Sequence, residues 1–454
     1  MGYLIKLQPS TQLRRVLSLR DLLFYGIILV QPTAPMPLFG VVSQEARGHV
    51  VTAVLIGMVA MMFTAVSYGR MARVHPQAGS AYTYVSRELH PGLGFLTGWS
   101  MILDYIVNPL ICVIWCSKAA GNFVPWIPYW GWAVFFAVLF TWLNLRGVEV
   151  SARLSKWMAI VMGAVVALMF GYSIHYLMGQ PQVSLLRPFY DPATFSWASL
   201  STGTSIAVLT YIGFDAISTL SEEVENPRRN ILLGTVLTCL FCGLFSAAEV
   251  YIGQLVWPDF RTYPDVDTAY VYVAGRAGGL FLFNLVNLTL LVASVGSGMG
   301  SQLAAARMLY GMGRDNVLPK RFFAALDPKR AVPRNNVLLG GALVLAGAFA
   351  MSYQLGAELL NFGAFIGFMG VNLAAFAHYW LRGKDRSWTQ LVVPLAGFAV
   401  CLYIWLSLRT PAKIAGGAWL VCGAVYGTVR VLLARNKAGQ GAGRGPGGPP
   451  YNLR

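Results

Sequence analysis

Charge is scarce in this chain of 454 residues: Asp, Glu, Lys and Arg supply 11% of it, and hydrophobic types supply 56%. Ordinary soluble domains carry about 25% charged residues. A surface facing water cannot be covered at that density, and the mean hydropathy of +0.57 points the same way. A soluble enzyme or binding module is therefore excluded, and the solvent that suits the composition is lipid. Acid is scarcer than base, with 18 Asp and Glu against 34 Lys and Arg, a net charge of +16. The basic residues fall in short clusters between apolar runs rather than along one face. That arrangement orients helices in a bilayer and does not suit a nucleic-acid partner, so none is expected.

Reactive groups are also few. Cys112, Cys116, Cys239, Cys242, Cys401 and Cys422 all lie inside apolar runs. Cys239 and Cys242 form one C-x-x-C, with no second pair and no nearby histidine to complete a tetrahedral zinc site. His49, His75, His90, His175 and His378 are scattered over loops and span ends. No metal, no cofactor and no clustered catalytic set for a membrane enzyme is expected. The first 20 residues carry Lys6, Arg14, Arg15 and Arg20 and have no apolar core, so no cleaved secretion signal is expected.

Long apolar runs are what the chain has in abundance. A helix crossing the hydrocarbon core needs about 20 such residues. Runs near 22–41, 50–69, 95–117, 131–145, 156–178, 199–220, 231–256, 279–308, 335–353, 357–380, 390–408 and 413–433 predict an all-α integral membrane protein with 12 transmembrane helices. With a cytoplasmic N-terminus, alternation leaves only Arg47, Lys118, Arg187, Arg261, Arg276, Arg409 and Lys413 of the 34 basic residues outside. A missed span would swap every later loop, so both termini are expected on the cytoplasmic side of a cell inner membrane. Residues 1–20 form an N-terminal segment, 21–435 the transmembrane domain and 436–454, rich in Gly and Pro, a disordered tail.

Two spans should break. Pro32, Pro35 and Pro37 stand near the middle of the first. Each removes a backbone donor and clashes with the preceding turn. Freed peptide groups at mid-depth are tolerated where protein or a wet cavity lines them, which points to a binding site. A proline kink without a ligand is the plain alternative. Gly213 beside Asp215 suggests a second break in the sixth span. Breaks five spans apart imply a five-plus-five inverted repeat, about 21–180 against 195–382, with spans 11 and 12 (388–433) appended.

Ionisable residues inside spans are costly and usually have a partner or a task. Asp104 lies in the third span with Asn108 one turn on; Asp215 lies beside the second break, and Glu249 is in the seventh span. Each carboxyl either binds a substrate ammonium, carries a coupling proton, or is a neutralised structural partner. Lys156 begins the fifth span, where it can snorkel to the interface. Glu222 and Glu223 close the sixth span as an ionic gate or as a solvated helix end. Ser294, Gly298 and Ser301, with small pairs Gly296/Gly300 and Gly363/Gly367, mark close helix contacts. Ser294 and Ser297 are also candidates for a cavity wall.

The stretches QAGSAYTY (77–84), GFLTGW (94–99), NLRG (144–147), GFD (213–215), SEEVENPR (221–228), ARMLY (306–310) and MGRD (312–315) occur in that order. Together they resemble the amino acid–polyamine–organocation permeases over about 19–431, and QP (31–32), FG (39–40), LDY (103–105) and NFGA (361–364) resemble the bacterial putrescine importer subgroup most. The resemblance implies a LeuT-like inverted-repeat fold. It also implies a central pocket formed by Pro32, Thr33, Ala34, Pro35, Tyr211, Ile212, Gly213 and Phe214. Three departures stand out. Prolines replace a Gly-rich first break, Pro37 takes the place of an aspartate in the putrescine importers, and Met162 takes the place of a lysine in several proton-coupled members. The expectation is a secondary transporter importing a small amino acid or amine by alternating access with a proton. A putrescine importer or a substrate exchanger is the alternative. A channel would show a filter segment or pore ring, and neither is visible.

Overall fold

Proline placement and apolar length explain most of the elements in this computed structural model. It describes residues 17–31, 33–75, 80–146, 152–220, 224–314, 318–327, 332–383 and 386–441. Among these the regular elements are helical, apart from one parallel bridge between Leu17 and Val224. The helices are α1 (Leu19–Val30), α2 (Phe39–Glu45), α3 (Val50–Val74), α4 (Ser80–Glu88), α5 (Pro91–Phe123), α6 (Tyr129–Leu145), α7 (Ala152–Met178), α8 (Trp197–Ala207), α9 (Pro227–Val256), α10 (Ala269–Arg314), α11 (Lys320–Phe323), α12 (Arg334–Ala350), α13 (Tyr353–Phe376), α14 (Trp388–Leu406) and α15 (Thr410–Gly441). Eight helical stretches, in α3, α5, α7, α9, α10, α13, α14 and α15, are long and apolar enough to cross a membrane. Helices α6 and α12 are shorter apolar helices.

The first expected span is two pieces. α1 opens on a capping box, with the Ser18 hydroxyl accepting from Asp21 N–H and the Asp21 carboxylate accepting from Ser18 N–H. It stops at Gln31, whose φ of 65° is left-handed. Turns carry the chain through 33–38 before α2 begins at Phe39. Pro32 lies outside the described residues. The sixth span is broken as well. α8 tightens into a 3-10 turn, Val208–Tyr211, and a second 3-10 stretch runs over Phe214–Leu220. Between them Gly213 takes a φ of 118°, open to glycine and strained for other residues.

The other boundaries follow local chemistry. α10 is longer than the expected eighth span because Gly278 and Gly279 kink it, at φ −136° and 63°, and a helical lead-in precedes the kink. α15 continues through Gly441, so 436–441 are helical where a disordered tail was expected; 442–454 lie outside the described residues.

Packing places α5 between α10 and α13, and α3 along α9. A Cβ on Gly298 would run into the Phe140 ring and the Cys112 side chain, and one on Gly363 into the Ser100 carbonyl. Gly298 and Gly363 thus set the helix spacing, as expected, whereas Gly296 and Gly300 line the cavity and make no close helix contact: a Cβ on Gly300 would meet nothing within 4 Å. The outer helix α15 is held by a reciprocal pair. Trp99 Nε1 donates to the Trp419 carbonyl at 2.9 Å and Trp419 Nε1 to that of Trp99 at 3.0 Å. Leu168, Leu244, Leu280 and Val421 are among many exposed apolar side chains. Such a sheath is stable against hydrocarbon and costly against water.

Candidate functional site

Both interruptions open onto one cavity of about 960 Å³. Its wall begins with Val30, Gln31, Thr33 and Ala34 of the first break and Leu209, Ile212, Gly213 and Asp215 of the second. α5 contributes Met101, Asp104, Tyr105, Asn108, Ile111, Cys112 and Trp115. These positions recur every three or four residues and so share one helical face. α10 faces them with Ser294, Ser297, Ser301, Ala304 and Arg307, again one face.

The polar groups are arranged in two sets. Asn108 Nδ2 donates to Ser301 Oγ at 2.6 Å and to Ser297 Oγ at 3.3 Å, tying α5 to α10 inside the cavity. Pro109 follows at once, and its missing N–H leaves the Tyr105 carbonyl without its helical donor. Asp104 sits one turn before Asn108 on the same wall, and Asp215 comes from the second break. Across from them Thr33 Oγ1 lies 3.7 Å from Met162 Sδ. The wall thus mixes two carboxylates, hydroxyls and amides with Met, Leu and Ile side chains, a composition that suits a small cationic or zwitterionic solute.

The cavity is closed at one end and open at the other. At the closed end Tyr353, Trp115, Leu38 and Leu290 are buried. Trp115 Nε1 donates to the Asp267 carbonyl at 2.8 Å, and Lys118 pairs with Asp265 at 3.3 Å and Asp267 at 3.7 Å. Burial holds the Asp267 carboxyl above its ordinary value, with Lys118 opposing. Phe39 of α2 packs on Tyr263 and Tyr270, with centroids at 5.7 and 5.3 Å. At the other end the lining includes Ser80 and the exposed Arg307.

Several expected residues lie elsewhere. Pro35, Tyr211 and Phe214 are buried outside the lining. Tyr211 turns away, its hydroxyl donating to the Val54 carbonyl at 2.7 Å, and Phe214 packs on Tyr68 and Phe368. Glu249 is fully buried on α9, away from the cavity, and neither carboxylate oxygen has a hydrogen-bond partner. Pro32, Glu222 and Glu223 fall outside the described residues, as does the side chain of Lys156 on α7. Among the wall residues missed were Gln31, Ser80, Tyr105, Trp115, Arg307 and Tyr353. The α5 face drawn through Asp104 and Asn108 already passed through Trp115.

The sequence profile of the amino acid permeases matches residues 37–420. The chain belongs to the amino acid permease family. This permease is 32% identical to the low-affinity putrescine importer PlaP of Escherichia coli over 92% of the chain and 94% of that protein. It is 26% identical to the branched-chain amino acid permease BcaP of Lactococcus lactis, covering 91% of the chain and 94% of the relative. It is also 27% identical to the methylthioribose transporter of Bacillus subtilis, over 91% and 93%. All three are transporters, and the permease is likewise a multi-pass membrane protein and not an enzyme. No group of three or more His, Cys, Asp or Glu placed to hold a metal ion occurs among its described residues.

Proposed function

We propose that the permease imports a small amino acid or amine across the inner membrane by alternating access. The observation that carries this reading is the cavity between the two interrupted spans, with Asp104 and Asp215 in its wall. Counting α1 with α2 and α8 with the 3-10 stretches as one broken span each, the helices fit twelve crossings in a five-plus-five inverted repeat with α14 and α15 appended. Breaks at spans 1 and 6 place unpaired peptide groups beside the solute. If the basic loops face the cytoplasm, the cavity opens inward through the Arg307 end, and both termini are cytoplasmic.

In this reading Asp104 and Asp215 hold the substrate ammonium or a coupling proton, and Asn108 with Ser297 and Ser301 orients the rest of the molecule. Met162 supplies no charge beside Thr33, so a proton would have to travel on one of the two carboxylates. Pro37 also lines the cavity, so the wall has no carboxylate at that position for the far end of a diamine. This favours amino acids. The identity to PlaP favours putrescine as the second reading.

Uptake into proteoliposomes decides between them. Neutral amino acids, cationic amino acids and putrescine are supplied with and without an inward proton gradient and a protonophore. Saturable uptake of one class, abolished by the protonophore, is expected. Equal uptake with and without it would leave exchange or facilitated diffusion. Flux that never saturates would point to a channel.

A further inference from the structure

Outside the cavity, a dense set of titratable side chains lies at the end toward which the cavity opens. α4 is 9 residues long. Its last residue, Glu88, has only 6% of its side chain exposed. Glu88 Oε1 takes hydrogen bonds from His75 Nε2 at 2.6 Å and His378 Nδ1 at 3.0 Å, and Oε2 takes one from Arg382 at 2.9 Å. His75 caps α3, and His378 and Arg382 belong to the π turn, Ala377–Leu381, and its cap. At the opposite end of α4, Ser80 lines the cavity and its Oγ lies 3.1 Å from Ser218 Oγ, on the second half of the broken sixth span. α4 is thus a strut, pinned by Glu88 and touching with Ser80 the segment that must move when the cavity changes access.

The other ionisable groups around this strut do not contact the Glu88 carboxylate. Arg70 donates to the Thr389 carbonyl at 3.0 Å, and Arg73 lies near Tyr379. His90 caps α5 by accepting from Gly92 N–H, and Asp104 and Asp215 face the cavity. On α4 itself Tyr84 stacks on His75 with centroids 6.5 Å apart, and Tyr82 and Arg87 are exposed. Burial raises the Glu88 carboxyl, but the hydrogen bond from His75 and the charge and hydrogen bond of His378 outweigh it and hold the group below its ordinary value. The carboxylate therefore stays charged, and imidazole is the side chain that titrates between about pH 5 and 8. The two imidazole rings lie with centroids 6.4 Å apart.

We propose that Glu88, His75 and His378 form a proton-operated pin: a proton taken up by the histidine pair tightens α4 against the ends of α3 and the span ending at Leu381, favouring the state whose cavity is open at this end. A charged ring holds the carboxylate more strongly than a neutral one. The mechanism rests on the transport reading only in taking the sixth span as the moving part. A ligand shifts a conformational equilibrium only by its differential affinity for the two states. Here that ligand is the proton.

The test uses a charged, membrane-impermeant maleimide on the full-length protein in inverted membrane vesicles, so that the reagent enters the cavity only from the face that carries Arg307; the protein is purified after labelling. Cys112 lines the cavity and is native. Cys422, the exposed cysteine, is replaced by Cys422→Ser. The rate of Cys112 modification, read by peptide mass, is compared with that in the same background carrying His75→Gln and His378→Gln. Dividing the two rates cancels the thiol's own titration. We expect the ratio to exceed one by roughly fivefold near pH 6, the fold-change of about 1 kcal/mol, and to fall to one near pH 8. A ratio that is the same at both pH values overturns the proposal. Should the double variant not purify as a folded protein, His378→Gln alone is judged by the same rule, since its ring is 32% exposed. Labelling needs no substrate, so a failure of every uptake assay would remove the transport reading and leave this result intact.

Discussion

Arg409→Met should destabilise the permease more than Arg409→Met combined with Glu358→Gln. Glu358 is fully buried at the start of α13, and its Oε1 accepts from Arg409 Nε at 2.7 Å. The same guanidinium reaches Glu45 of α2 at 3.8 Å, and Glu45 accepts from Gln354 Nε2 at 2.5 Å. Removing one partner of a buried ion pair costs about 3–5 kcal/mol, because the other charge stays buried without compensation. Arg409 is 34% exposed, so water moderates the loss and brings it to the bottom of that range or just below. We expect about 2–3 kcal/mol for Arg409→Met. Glu358→Gln leaves the guanidinium its solvent, Glu45 and an amide oxygen, and should cost about 1 kcal/mol. The double variant buries a neutral amide instead of a lone carboxylate and so recovers part of the loss. Thermal denaturation of the detergent-purified proteins, followed by the surviving monodisperse fraction, gives the order of stabilities. A double variant as unstable as Arg409→Met, or less stable, refutes the claim that the stranded carboxylate dominates the cost.

Four further outcomes follow from the geometry. Asn108→Ala removes the hydrogen bonds to Ser297 and Ser301 and should weaken apparent substrate affinity by roughly fivefold, about 1 kcal/mol, in proteoliposome uptake. Asp104→Asn and Asp215→Asn should each abolish gradient-driven uptake, and unaltered transport in both would demote the two carboxyls to structure. A Cβ on Gly40 would collide with the Val266 carbonyl and the Ala269 side chain, so Gly40→Ala should lower thermal stability by about 1–3 kcal/mol through overpacking at the closed end. In the loop after α7, Asp191 is held below its ordinary value by the hydrogen bond from Ala193 N–H and by Arg187. Its contribution is therefore present above the ordinary carboxyl value and lost as pH falls through the lowered one. Hydrogen-exchange protection of 187–195 should persist at neutral pH and fall only under about pH 4.

Short-range chemistry already marked the membrane class, the approximate spans and both interruptions. Three prolines in the first span remove backbone donors wherever the chain folds, and Gly213 in the sixth admits a φ of 118° that other residues resist, so the breaks are local properties. The apolar runs needed no partner either, because hydrocarbon rewards them one residue at a time. Which side chains meet the solute is a different matter. Tyr211, Ile212, Gly213 and Phe214 are consecutive, yet Ile212 and Gly213 line the cavity while Tyr211 and Phe214 pack into the core. The phase of the two 3-10 stretches that flank Ile212 and Gly213 sets that division. Glu88 meets His75 from 13 residues away and His378 from 290, and no run of neighbouring residues encodes the second contact. It exists because α4 and α13 pack directly on each other while both pack on α5, an arrangement that depends on the whole bundle.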